Sequence, residues 1–262
     1  MSLEIVNLDE HWQAAAVGYL RRSPYRNAVP LSNVTQLRSR CEVLVAHRNG
    51  MVQGVASYYR DLPFPALAFA ADPGDPLGAL LSALIDRLPH LRGADLSTLI
   101  PEQRVRQLAG CAQILSGFTE MQMVVEPETL RPREAAGVRR LRPEDRPAMA
   151  ELAAAGGLSA WSAEAFDHGP AFGAFAADQL VAMATTRFAT PDVIEIGNVV
   201  THPEFRRQGF SSGCVTALSQ ACFVLAPRVY LMVVSDNEPA FQSYRKLGFW
   251  PAERFMFVTF RV

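Results

Sequence analysis

Lysine is almost missing from this chain: of its 25 basic residues, only Lys246 is not arginine. With so much alanine this fits a GC-rich coding bias, and it carries no functional meaning. Net charge is nearly missing too, since 25 basic against 26 acidic residues leave −1. Nothing global therefore draws the protein to nucleic acid or to an anionic membrane surface, and any basic site must be local. No apolar run approaches the roughly 18 residues of a membrane span. The opening stretch MSLEIVNLDEHW is acidic where a signal peptide would be basic, so a cytoplasmic protein is expected. Cys41, Cys111, Cys214 and Cys222 lie far apart, without C-x-x-C or Cys/His ligand spacing. Neither a disulfide framework nor a metal site is expected.

What the chain does have is 262 residues, 49% of them apolar, enough for one or two cores. It also repeats itself. VLVAHRNGMVQGVASYY from Val43 is two apolar runs hinged on Asn49-Gly50, and AFGAFAADQLVAMATTRF from Ala171 is a comparable pair hinged on Ala177-Asp178. Each is followed by a proline-containing loop, another apolar run and a long helical pattern. LSGFTEMQMVV from Leu115 mirrors KLGFWPAERFMFV from Lys246, and the chain starts IVNLDEHWQAAAVGYL and VRRLRPEDRPAMAELAA correspond as well. The offset stays near 130 residues. Glu126–Gly137, EPETLRPREAAG, is charged, carries two prolines and has no apolar period. Two similar α/β units are expected, 1–127 and 137–262; a single α/β domain is the alternative.

The chemistry collects in the second unit, in VIEIGNVVTHPEFRRQGF (Val193–Phe210). Ile194, Ile196 and Val199-Val200 suit a buried strand. After Gly209, Val215, Leu218, Cys222 and Leu225 share one side of a helix. The turn Arg206–Ser212 thus lies where a strand ends and a helix begins, a place where free backbone N–H groups and the helix dipole favour an anion. Gly209 would let the backbone come close to a phosphate, Arg206 and Arg207 add positive charge, and Ser211 and Ser212 offer hydroxyls. A solvated glycine turn would read the same way in isolation. Downstream, in VSDNEPAFQSYRKLGF, Asp236 or Asn237 can cap a helix with Pro239 in its first turn. Ala240, Tyr244 and Leu247 share its apolar face, and Gly248 ends it. Tyr244 by itself reads as a core aromatic.

Arg206–Ser211, R-R-Q-G-F-S, resembles the R/Q-x-x-G-x-G/A loop of the GNAT superfamily of N-acetyltransferases, with Ser211 where Gly or Ala is usual. NVVTHPEFRRQGFSS and DNEPAFQSYRKLGF fit the same family in order and spacing. The resemblance implies an α/β (α+β) fold of two tandem GNAT-like units, each a mostly antiparallel, mixed central sheet flanked by helices. It implies acetyl-CoA as co-substrate, without a metal. Two parallel strands would splay apart, Val199, Val200 and Thr201 would offer backbone to pantetheine, and the amides of Arg207, Gln208, Gly209, Phe210, Ser211 and Ser212 would cradle the pyrophosphate. Asn237 matches a cofactor-contacting position, and Tyr244 matches the tyrosine that protonates the departing thiolate. An unperturbed phenol, near pKa 10, can donate to a thiolate whose acid titrates near 8.5. Glu195 interrupts the apolar strand and matches a general-base position, or else it pairs with an arginine inside the sheet. Asp167 and His168 are weaker candidates for substrate contacts, and His202 belongs to the corner.

The first unit lacks these features. AADPGDPLGALL has Asp72 and Asp75 to repel a pyrophosphate and Pro73 and Pro76 without amide hydrogens. It resembles a degenerate GNAT unit and is expected to shape the acceptor cleft. The expected activity is direct acetyl transfer to an amine of a small molecule or peptide. The alternatives are a different acyl or aminoacyl donor, or a CoA-binding module without turnover. Loops around Leu158–Pro170, with Trp161 and Phe166, could line the acceptor pocket; a homodimer stays open.

Overall fold

The computed structural model describes residues 2–72, 76–158, 161 and 163–262. Contacts group them into Met1–Glu120 with Glu253–Val262, and Met121–Ala252. The division differs from a single cut at the charged linker, because the chain's last ten residues pack with its first unit.

In the first unit β1 (Glu4–Asn7) leads to α1 (Glu10–Leu20), capped by Asp9, and then to α2 (Ala28–Val34). β2 (Cys41–Arg48) and β3 (Met51–Tyr59) form the hairpin, with φ of 51° at Asn49 and 77° at Gly50. Those left-handed dihedrals are what an Asn-Gly hairpin turn requires. β4 (Ala66–Ala71), α3 (Pro76–Arg87), β5 (Leu96–Pro101), α4 (Val105–Ala109) and β6 (Gln113–Val125) follow. The strand order is β1-β2-β3-β4-β5, with the final strand β12 (Trp250–Arg261) beside β5. All neighbours are antiparallel except β4 and β5, which pair in parallel only at Ala66↔Ser97 and Leu67↔Thr98. α3 buries Leu77, Leu80, Leu81 and Leu84 against Leu44, Ala56, Val258 and Phe260.

The second unit repeats this order: β7 (Val138–Arg140), α5 (Arg146–Gly156), β8 (Ala171–Ala176), β9 (Gln179–Ala189), β10 (Ile194–Thr201), α6 (Phe210–Phe223), β11 (Val229–Val234) and α7 (Glu238–Lys246). Its strand order is β6-β11-β10-β9-β8-β7, antiparallel from β7 to β10 and parallel between β10 and β11. Ile194, Ile196, Val215, Leu218 and Cys222 form one core with Met123, Val125, Tyr244 and Phe249. Val200 faces a second core, with Met149, Leu152 and Met183. α6 stops at Phe223, so Leu225 is 53% exposed and does not extend the helix's buried side. No helix among the described residues is long and apolar enough to cross a membrane.

Candidate functional site

β10 runs beside β11 only as far as Ile196. The parallel register is Ile194↔Val229, Glu195↔Tyr230, Ile196↔Leu231, and no later residue of β10 pairs with β11. Two irregularities in its pairing with β9 bracket the same point. Glu195 faces Phe188 and Ile196 faces Thr186, so Arg187 is an extra residue on β9. Gly197 faces Thr185 and Val200 faces Met183, so Asn198 and Val199 together oppose Ala184. Asn198 takes φ of 49° and donates from Nδ2 to Thr185 Oγ1 at 2.8 Å. Bulges bend a strand and re-aim its side chains. Here they turn β10 off β11 and leave the Val199–Thr201 backbone unpaired on that side.

Beyond Thr201 the chain turns through Pro203–Phe205 into the basic corner. Arg206, Arg207, Gln208 and Gly209 are exposed. Arg207 has φ of 65° and Gly209 86°, and nothing lies within 4 Å of where a Cβ on Gly209 would stand. Gly209 caps α6 without a side chain, and the first helical bond runs from Gly213 N–H to Gly209 C=O at 3.0 Å. The N–H groups of Phe210, Ser211 and Ser212 therefore have no intrahelical acceptor. Amides without intrahelical acceptors, the positive end of α6 and an open glycine are together the features that favour an anion.

Ser212 Oγ lies 3.3 Å from Ser243 Oγ, so the start of α6 and the middle of α7 touch. α7 begins at Glu238, with Pro239 in its first turn, behind Asn237, whose Oδ1 accepts from Ala240 N–H at 3.2 Å. It ends in a double backbone bond, Phe249 N–H to Tyr244 C=O at 3.1 Å and Gly248 N–H to Arg245 C=O at 3.1 Å, with Gly248 at φ of 93°. This end motif fixes the helix's rotation, and Tyr244 is buried beside Phe249 as a result. Among the described residues its hydroxyl has no hydrogen-bond partner. Burial pushes the Tyr244 phenol up from its ordinary value.

Glu195 is buried on the face opposite Ile194 and Ile196. Tyr230 donates to its Oε2 at 2.6 Å, and Arg187 Nε stands 3.6 Å from its Oε1. Elsewhere Asp167 pairs with Arg146 at 3.3 Å, and His202 stacks edge-on against Phe205 at the corner. Trp161 and Phe166 pack partly buried against the core that holds Val200. Residues 159, 160 and 162 of the expected acceptor loop lie outside the described residues.

A family model described as FR47-like protein matches residues 171–258, the stretch that contains the splay, the corner and α7. No curated protein matches the chain. Among solved structures, a tandem GNAT protein from the clavulanic acid biosynthesis pathway is 16% identical with a TM-score of 0.66, over 98% of both chains. A GCN5-related N-acetyltransferase from Sphaerobacter thermophilus is 14% identical with a TM-score of 0.68, over 99% of this chain and 95% of that one. Another from Kribbella flavida is 21% identical with a TM-score of 0.61, over 80% of this chain and 86% of that one. The fold is that of the GNAT acetyltransferases, in two tandem units.

The two GNAT-fold units differ at the corner. In the first, β4 also leaves β5 early, but Tyr19 donates to Asp72 Oδ1 at 3.1 Å and Asp72 N–H bonds Gln53 C=O at 2.9 Å. A hydrogen-bonded carboxylate thus stands directly after β4. Pro73 and Asp75 lie outside the described residues, and Pro76 opens α3 without an amide hydrogen. In the second GNAT-fold unit, the residues that motif reading passes over are Arg187, Tyr230 and Ser243. Gly197 is a signal for the first of these, because a glycine inside an apolar strand marks a bulge or a close approach, here that of Arg187.

Proposed function

We propose that the second unit is an acetyl-CoA-dependent N-acetyltransferase acting by direct transfer. The observation that carries this reading is the open amide cradle at Arg207–Ser212, beside a splayed strand and in contact with the tyrosine helix. Backbone of Val199–Thr201 would hold pantetheine, the cradle would hold the pyrophosphate, and Asn237 would add a contact through the part of its amide that does not cap α7. The site fits the group. Gly209 leaves open the space a side chain would fill, and three helix-start amides lack acceptors.

The bound thioester supplies an activated acyl carbon. The amine nitrogen forms the new C–N bond as the C–S bond breaks, Tyr244 gives its proton to the leaving sulfur, and the amine's surplus proton passes to solvent, from which Tyr244 is reprotonated. Tyr244 suits the donor's task because burial keeps it protonated. Glu195 enters the reading as a partner of Arg187 rather than as a base. One of its oxygens accepts from Tyr230 and the other faces the Arg187 guanidinium, so both are turned to protein groups.

Calorimetric titration tests the cradle. Acetyl-CoA should bind the intact protein and fail to bind an Arg207→Glu/Gly209→Pro double variant. Proline cannot adopt the φ of 86° that Gly209 holds, and the glutamate repels the pyrophosphate. An intact protein that does not bind acetyl-CoA would refute the proposal.

A further inference from the structure

Arg187 has no Cα partner in the pairing of β9 with β10. It is the extra residue of the bulge between Phe188 and Thr186, and its side chain leans across Gly197 of the neighbouring strand. A Cβ on Gly197 would sit 2.4 Å from both Cγ and Cδ of Arg187, so the arginine's path requires glycine there. The guanidinium is then fixed from one side only. Its Nε faces Glu195 Oε1 at 3.6 Å, too long for a hydrogen bond, while Tyr230 holds the other carboxylate oxygen at 2.6 Å. Among the described residues no hydrogen bond is made by its remaining N–H groups, and the side chain is 43% exposed against 7% for Glu195. A cation with one edge neutralised and its fork left open stands where β10 parts from β11, on the sheet face opposite α6.

A guanidinium fork matches a carboxylate in two parallel hydrogen bonds. We infer that the acceptor is an amine that also carries a carboxylate, a small amino acid, with its carboxylate on the open edge of Arg187. Glu195 and Tyr230 act through Arg187 as positioning residues. The assignment rests on the acetyltransferase reading and names the substrate class of that same site. A long peptide, which offers an amide where an amino acid has its carboxylate, leaves the fork unsatisfied, and so does a plain amine.

Paired acceptors that differ only in the carboxylate test this: phenylalanine with 2-phenylethylamine, lysine with 1,5-diaminopentane, serine with ethanolamine. The intact protein should favour the carboxylate member in kcat/KM. Arg187→Met should raise the KM for that member by about 10- to 100-fold, the usual scale for losing a charged hydrogen bond, and leave the plain amine unchanged. Arg187→Lys should recover part of the loss. Glu195→Gln should follow Arg187→Met in weakened form, with an unchanged pH profile for the plain amine. Acetyl-CoA titration into the same variants keeps the two readings apart: absent binding in the intact protein sinks the acetyltransferase, not the fork. Normal binding with equal use of both members, with equal losses in both on Arg187→Met, or with no turnover of any pair, overturns the carboxylate assignment.

Discussion

Tyr244 is rigid by construction. The two backbone bonds that close α7 at Gly248 and Phe249 set its rotation, and the core around Phe249 holds the ring. Its hydroxyl has no partner among the described residues, which leaves the proton available. Because burial raises its pKa above the usual value near 10, the phenol stays protonated through the neutral and mildly alkaline range. Tyr244→Phe should therefore lower kcat by about 100-fold or more, the ordinary scale of a general acid, while calorimetry finds acetyl-CoA affinity unchanged. The intact enzyme should show no alkaline loss of rate from this group below about pH 10. A downturn at lower pH that vanishes in the Phe variant would contradict the raised value. Equal turnover by both proteins would leave a CoA-binding module.

At the scale of elements, α5 depends on a carboxylate at its entrance. Asp145 Oδ2 accepts from Arg142 N–H at 2.7 Å, and Arg139 grips both oxygens at 2.8 and 2.7 Å. That hydrogen-bonded guanidinium holds the Asp145 carboxyl below the usual carboxylate value. α5 in turn places Met149, Leu152 and Ala153 in the core beneath Val200. Asp145→Asn should cost about 1 kcal/mol at pH 7, the typical loss for a helix-entrance acceptor, read as a lower urea midpoint. A depressed folded value means that the stabilisation is complete above the unfolded value near 3.9 and disappears as pH falls through the folded one. The gap between the two proteins should thus close in acid; a constant gap would exclude the carboxylate's charge as its source. Helices, hairpins and the Arg206–Ser212 corner are legible in the sequence because each has a local cause: a cap, a turn dipeptide, a glycine before a helical period. The two bulges are not. A strict alternation along Val193–Phe210 accounts for Glu195 alone, whereas the bulges bring Arg187, a residue on another strand, across Gly197 to face it. The end of α6 was hidden for a similar reason, since Val224 and Leu225 continue an apolar run without continuing the helix.

At the scale of the molecule, sequence and contact units part company where strands outlast them. Glu126–Gly137 reads as a boundary because it is charged and proline-bearing, yet pairing partners, which no local pattern encodes, decide membership. Met123 and Val125 lie before that linker and are wholly buried in the core of the second unit. Phe255, Val258 and Phe260 lie at the far end of the chain and are buried in the first unit, where β12 pairs with Leu96–Pro101 of β5. A fragment cut at the linker, residues 137–262, loses the first pair and exposes the second set. Two lost core side chains amount to about 3–6 kcal/mol at the usual value for burying each, against a total of about 5–15 for a domain. The fragment should accordingly show no cooperative urea transition and should bind a hydrophobic dye, while the full chain unfolds cooperatively. Extending it to begin at Met121 restores Met123 and Val125 but not the partner of β12. That longer fragment should regain part of the transition and keep binding dye. Cooperative unfolding of the 137–262 fragment at full-chain stability would show that the buried tails contribute nothing, and would return the boundary to the linker.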